Sequence, residues 1–183
     1  ESTIQVTLGT ENITPNGTPV VTDLDGNDDG LINPNENGSI TFTLKNWGTI
    51  ISNNVTATLS LPDSITKVQI ITTEPILYGT IQPEDSVEGT PFQFFVQPDC
   101  PIGTIIPFKL HVESTTSSWD YYQNVQVHGC NLDFTEFIID DDENILRNFR
   151  MDPGETVKLK IKIVNTGDDF AQDVIARIST NDP

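Results

Sequence analysis

The chain is poor in basic residues. Among its 183 residues, nine are Lys or Arg and two are His, against 27 Asp and Glu, which gives a net charge of −18 at pH 7. A field of that sign repels phosphate backbones and anionic lipid surfaces, so we expect no nucleic-acid partner. Apolar runs fall far short of the roughly 18 residues that a spanning helix needs. We therefore also expect no direct membrane insertion.

The sequence also lacks the usual catalytic motifs. It contains no G-x-S-x-G, no H-E-x-x-H and no phosphate-binding glycine loop. His111 and His128 each follow an apolar residue in an alternating pattern, which places both imidazoles on the polar side of a strand. Neither has a nucleophile or a second histidine nearby in sequence. We expect no enzymatic activity.

Only two cysteines are present, Cys100 and Cys130. An even pair is typical of one disulfide in an oxidising compartment. The closed loop of about 30 residues would stabilise the fold by roughly 3 kcal/mol. We expect this disulfide, with two unrelated buried thiols as the alternative.

Further features favour an extracellular or cell-surface location. The chain begins at Glu1 with neither a signal peptide nor an initiator Met, as a mature or excised segment would. Four Asn-x-Ser/Thr sequons are candidate glycosylation sites, although a chain rich in Asn and Thr yields such triplets by chance. They lie at Asn12, Asn16, Asn37 and Asn54.

Two-residue alternation of apolar and polar residues recurs along the chain, whereas helical periodicity is not sustained anywhere. Ile40, Phe42 and Leu44 alternate with threonines, and Val55 to Leu61 repeats the pattern. Turn residues separate the segments. The predicted fold is all-β, an antiparallel immunoglobulin-like β-sandwich. Further strands are predicted at 3–8, 67–72, 77–81, 91–97, 104–113, 119–127, 157–164 and 174–179.

The chain contains part of itself twice. A shift of 119 residues aligns Asn33 to Ser60 with Asp152 to Ser179 without a gap. A repeat of that length is one domain. We expect a complete module at 1–130 and the first part of a second copy at 131–183. The identical pairs are Pro34/Pro153, Glu36/Glu155, Asn46/Asn165, Gly48/Gly167, Val55/Val174, Ala57/Ala176 and Ser60/Ser179.

These motifs resemble a known family. Asn33-Pro-Asn-Glu36, an alternating strand and Asn46-x-Gly48 are similar to the bacterial and archaeal immunoglobulin-like modules of the CARDB-like, cell-adhesion-related type. The stretch from Pro98 to Val112 is similar to the later half of those modules. The resemblance implies tandem repeats in large secreted or cell-surface proteins, often beside gingipain-like peptidase domains. The shared residues are scaffold and turn residues, so they imply a fold more than a task.

One loop predicts a calcium site. Residues 25–36 fit the pattern D-x-[DN]-x-[DN]-G-x5-E, in which alternate side chains supply oxygens, glycine allows a sharp bend and glutamate closes the shell. The loop lies between the stretch 20–24 and a strand that starts near Gly38, whereas an EF-hand needs a helix on each side, so we expect a calcium loop within a β-sandwich. The alternative is a solvated acidic loop without metal. The predicted ligands are Asp25, Asn27, Asp29 and Glu36, with additional oxygens from Asp23 and Asn33.

The matching loop of the second copy keeps Glu155 but has Asn148 and Phe149 at the positions of Asp29 and Gly30. We expect its cation site to be lost, or rebuilt from Asp140, Asp141, Asp142 and Glu143.

A partial sandwich exposes its core face and strand edges. If residues beyond Pro183 complete it, the chain is a calcium-stiffened spacer or adhesion module whose partners are neighbouring modules. Alternatively, a strand from another subunit fills the gap and the chain is the subunit of an extracellular filament. Ile4, Val6 and Leu8 have the alternation that a donor strand needs, although they would equally form the first strand of the first module.

Overall fold

The computed structural model describes residues 8–26, 29–141 and 148–180. These residues form thirteen β-strands, and every pairing between strands is antiparallel. Nothing in the described part of the chain forms a helix with the length and apolarity needed to span a bilayer. The chain divides into two compact units, Glu1–His128 and Gly129–Pro183.

The first unit contains three sheets. Their strand orders are β2-β3-β9-β6, β1-β4-β8 and β11-β10-β5-β7. Only Phe42 separates β3 from β4, so the first two sheets continue into each other. The strands are β1 (Ile13–Pro15), β2 (Val20–Asp23), β3 (Asn37–Thr41), β4 (Thr43–Asn46), β5 (Ser52–Ser60), β6 (Val68–Ile70), β7 (Ile76–Ile81), β8 (Ser86–Glu88), β9 (Phe92–Val96), β10 (Ile105–Glu113) and β11 (Ser118–Gln126).

A single apolar core lies between these sheets. Alternate residues of β10 are buried, as the sequence pattern predicts. Phe94 of β9 and Phe108 of β10 pack with ring centroids 4.9 Å apart, which joins the two layers. The prediction of an all-β antiparallel sandwich is confirmed. The largest fully buried side chains are Phe92, Phe94, Phe108, Ile13, Ile32, Ile40, Leu44, Ile81, Ile106, Leu110, Val55 and Val96.

The second unit contains an antiparallel pair, β12 (Leu132–Asp140) and β13 (Lys158–Asn165). Its ladder begins with Leu132 opposite Asn165, as the β1–β4 ladder of the first unit begins with Ile13 opposite Asn46. Both positions differ by 119 residues, so the repeat extends upstream of the segment in which the residues are identical. A register shift between Phe134 and Glu136 then displaces the rest of β12 by one residue.

The turn after β4 recurs after β13 with the same hydrogen bonds. The Asn46 side chain accepts from the Gly48 N–H and donates to the Ile50 carbonyl at 2.8 Å. Asn165 likewise accepts from the Gly167 N–H and donates to the Asp169 carbonyl at 2.6 Å. Both turns therefore rest on an equivalent amide, which is buried at Asn46 and exposed at Asn165.

The strand predicted at 174–179 is wrong. In the first unit the equivalent strand β5 has β7 and β10 as its neighbours. The described residues of the second unit form only β12 and β13, so this segment has no ladder partner. Val174, Ile175 and Ile178 are consequently 48%, 78% and 68% exposed.

Candidate calcium site

The predicted calcium loop connects β2 to β3. Asp23, the last residue of β2, lies opposite Gly38 of β3. A side chain at residue 38 would come within 2.8 Å of Phe94 and Ile32, so glycine lets the loop close against the core. The loop therefore starts and ends on adjacent strands, which brings its acidic ends together.

Two of the loop's carboxylates are buried. Asp23 is 6% exposed and Glu36 is 9% exposed. Oδ2 of Asp23 is fully buried and has no hydrogen-bond partner. One Glu36 oxygen accepts from the Asn33 N–H at 2.8 Å. The other oxygen would lie only 2.2 Å from a Cβ atom at residue 26. Because Gly26 has no side chain, the carboxylate has room there.

The two exposed aspartates of the loop are fixed by hydrogen bonds. Asp25 accepts from the Asn37 side chain at 2.6 Å and from the Asn37 N–H at 2.7 Å, and these bonds hold the pKa of Asp25 below its usual value. Asp29 accepts from the Leu31 N–H at 2.8 Å in an Asx turn. Gly30 follows with a φ of 79°, which glycine adopts without strain.

The carboxylates also act on one another. Burial raises the pKa of Glu36 above its usual value, and the negative charges of Asp23, Asp29 and Asp25 raise it further, while the hydrogen bond from Asn33 opposes the shift. The buried Asp23 oxygen lacks a hydrogen-bond partner, and the charged form of Glu36 is disfavoured. A bound cation would offset both effects, because it would coordinate the oxygen and supply a positive charge.

The predicted ligands all carry oxygen atoms, the donors that hard cations prefer. Five of the six predicted ligands are described, and Asn27 lies outside the described residues. Nδ2 of Asn33 is also buried without a partner, and a flip of that amide would present its oxygen instead. Over the residues that the structure describes, no group of three or more Asp, Glu, His or Cys side chains has the geometry of a preformed metal site.

The loop contacts the end of the first unit through its backbone. Ile32 forms a parallel bridge with Val127, and the Ile32 carbonyl accepts from the His128 N–H at 2.7 Å. On its other side, Glu36 and Asn35 exchange backbone hydrogen bonds with Val96, both at 2.9 Å. Anything that fixes the loop therefore also fixes the last residues of this unit.

The structure does not support the predicted disulfide. Cys100 and Cys130 are both free thiols, Cys100 buried and Cys130 exposed. Cys130 belongs to the second unit, whereas Cys100 lies in the first. The sequence places Cys130 directly after a predicted strand but does not reveal that the unit boundary precedes it.

The four sequons differ in their surroundings. Asn12, Asn16 and Asn54 are exposed. Asn37 is half-buried, and its side-chain nitrogen donates to Asp25. Because a glycan would be attached to that nitrogen, glycosylation of Asn37 would disturb its hydrogen bond to Asp25.

The predicted donor strand lies mostly outside the described residues. Ile4 and Val6 fall in that part of the chain, while Leu8 is described, belongs to no strand and is 84% exposed.

A cluster around His111 joins β10 to β11 and was missed in the sequence. His111 Nδ1 lies 2.6 Å from Asp120, and Nε2 lies 3.0 Å from Glu113. Lys109 pairs with the other Asp120 oxygen at 2.9 Å. The hydrogen bond to Asp120 and then that to Glu113 raise the pKa of His111. Because carboxylates engage both ring nitrogens, His111 is arranged as a cation and not as a general base.

No protein-family model matches this sequence, and a search among curated proteins found no match.

Proposed function

We propose that this chain is a non-catalytic, calcium-stiffened spacer or adhesion module of a secreted or cell-surface protein, built on immunoglobulin-like repeats. The observation that carries the proposal is the buried, unpartnered oxygen of Asp23 beside Glu36. A carboxylate oxygen buried without a partner costs several kcal/mol, which a coordinated cation offsets. Calcium is the cation whose ligand preferences match an all-oxygen loop of this length.

The loop's backbone bonds support a mechanical role. A cation held by Asp23 and Glu36 joins the end of β2 to the start of β3. Through Ile32 it also restrains Val127 and His128, which precede the second unit. Calcium would thus stiffen the end of the first unit, as a spacer requires.

A calcium titration of the full chain tests the proposal. The variant Asp23→Asn keeps the shape of the side chain and removes the charge, and Asp63→Asn is the matched control because Asp63 is an exposed acid in another loop. We expect calcium to raise the unfolding temperature of the wild type and of D63N, since a ligand at 100 times its Kd stabilises by about 2.7 kcal/mol. D23N should lose that increment. Equal responses of D23N and D63N would refute the proposal.

A second function is favoured by one observation, the exposed apolar face of the second unit. This face consists of β12, β13 and the segment 174–178. In the first unit, β7 and β10 flank the strand equivalent to that segment. A β-strand with alternating apolar residues would therefore fit this face. The lining residues are Leu132, Phe134, Phe137, Leu159, Ile161, Ile163, Val174, Ile175, Ala176, Arg177 and Ile178.

We infer that this strand is residues 3–8 of a second copy, which would make the chain a filament subunit joined by strand donation. Ile4, Val6 and Leu8 supply the alternation, and Leu8 is exposed.

Light scattering on the size-exclusion peak tests this function. Strand donation predicts concentration-dependent oligomers that Val6→Asp abolishes, whereas Thr7→Asp adds the same charge on the other face of the strand and preserves assembly. A wild-type monomer at all concentrations would refute strand donation and leave the calcium proposal intact.

A further inference from the structure

The second unit contains a buried carboxylate that the proposed function does not use. Asp141 follows the end of β12 and is 1% exposed. Its Oδ2 accepts from the N–H groups of Asn148 and Phe149 at 2.6 and 2.9 Å. Its Oδ1 is buried without any hydrogen-bond partner. This is the same condition as that of Asp23 in the first unit.

The strand register explains why Asp141 occupies that position. A shift of 119 residues would align Asp23 with Asp142. In the first unit the chain gains two residues between the β1–β4 ladder and the β2–β3 ladder, whereas the irregularity between Phe134 and Glu136 adds only one, and the ladder then runs to Asp140 opposite Lys158. Continued by one residue beyond both strands, that register would place Asp141 opposite residue 157, as Asp23 lies opposite Gly38. Asp140 instead pairs with Lys160 at 2.7 Å.

The described residues 148–155 of the second loop repeat features of the first. Asn148 accepts from the Arg150 N–H at 2.8 Å, as Asp29 does from Leu31. Phe149 has a φ of 58°, at the position of Gly30.

The glutamate that closes the first loop also has its counterpart. Glu155 accepts from the Asp152 N–H at 3.2 Å, as Glu36 does from Asn33. A Phe in the left-handed region costs about 1 kcal/mol or more. Other interactions of the loop must offset that strain.

We propose that Asp141, Asp152 and Glu155, which are not held as a preformed metal-binding group, close around a hard divalent cation as a second site, in addition to the site in the first unit. Asp141 supplies the orphaned Oδ1. Oδ2 of Asp152 accepts from the Asn148 side chain at 2.7 Å and Oε2 of Glu155 accepts from the Asp152 N–H, so each carboxylate has a second oxygen outside these two bonds. Asp152 adds a charge where the first loop has Asn33, but Arg150 adds a positive charge where that loop has Leu31. Asparagine at 148 also replaces a carboxylate, so this site binds at least about tenfold more weakly.

Calcium titration calorimetry on the full chain, with calcium chloride as the probe, tests this inference. We expect two sites in the wild type. Asp141→Asn should remove the weaker site and leave the tighter one, whereas Asp23→Asn should do the reverse. Asp173→Asn is the matched control, an exposed aspartate of the second unit, and should keep both sites.

A measurement on the unmodified chain covers the case in which Asp141→Asn does not fold. Amide resonances of residues 148–155 should shift saturably with calcium in the weaker phase of the titration. One site in the wild type together with unmoved resonances would overturn the inference. Because loss of the tighter site in D23N is a separate readout, the failure of either site can be told from the failure of the other.

Discussion

At the scale of single residues, the predicted calcium loop is a compromise between burial and charge. Glu36 is held in a buried position among three aspartates, which raises its pKa. A carboxyl group whose pKa is higher in the folded state than in the unfolded state contributes stability below the unfolded pKa. That contribution is lost as the pH rises through the folded pKa. Without calcium, Glu36 therefore destabilises the fold at neutral pH.

We predict that Glu36→Gln has opposite effects with and without calcium. In chelator at pH 7, Gln removes the repulsion and the cost of a buried charge, and should stabilise the chain. In millimolar calcium the same variant should be less stable than the wild type. Thermal unfolding under both conditions checks this. A variant that is destabilised in chelator as well would show that Glu36 acts through its hydrogen bond alone.

His111 gives the stability of the fold a second dependence on pH. Its pKa is raised in the folded state, mainly by Asp120, so its contribution is complete below the unfolded value of about 6.5 and is lost as the pH rises through the folded pKa. We predict that His111→Gln destabilises the chain at pH 6 by up to about 1 kcal/mol, since the pair is half-exposed, and less at pH 9.

A double-mutant cycle with Asp120→Asn, measured by urea unfolding, checks the partner. Coupling should be present at pH 6 and smaller at pH 9. Equal coupling at both values would mean that a neutral hydrogen bond, and not the imidazolium, joins the strands.

At the scale of elements, the sequence predicts most of the strands of the first unit because their apolar residues alternate. It does not predict β1, β2 and β8, whose three or four residues leave too few positions for a pattern. The acidic pattern of the first loop identifies Asp23, Asp25, Asp29 and Glu36. Asp141 is different, because its position depends on a strand irregularity that no local motif announces.

The shared turn is the element whose loss should be most costly. Asn46 is fully buried, and its side chain bonds to Ile50, Ile81 and Gly48. We predict that Asn46→Ala destabilises the first unit by about 3 kcal/mol, because two carbonyls and one N–H lose their partner. Asn124→Ala, at an exposed position of β11, should change stability by less than about 0.5 kcal/mol. Denaturant unfolding followed by tryptophan fluorescence measures both, and similar values for the two variants would contradict this role.

At the scale of the whole molecule, the net charge of −18 must be separated from the specific site. Self-repulsion at that charge destabilises the compact state, and any added cation weakens it by screening. In chelator, we predict that raising sodium chloride from about 10 mM to about 300 mM increases the unfolding temperature of the wild type and of D23N equally, because screening does not depend on one carboxylate.

Calcium should behave differently from salt. A cation bound to buried oxygens is screened little, so the increment from millimolar calcium should persist at about 300 mM sodium chloride in the wild type and be absent in D23N. An increment equivalent to 2 kcal/mol shifts the unfolding temperature of a chain of this size by about 4–8 °C, well above the error of a thermal scan. Magnesium is the control, since it dehydrates reluctantly and should stabilise less at equal concentration. A calcium increment that disappears in high salt, or that magnesium reproduces in full, would assign the effect to the overall charge and remove the loop from the mechanism.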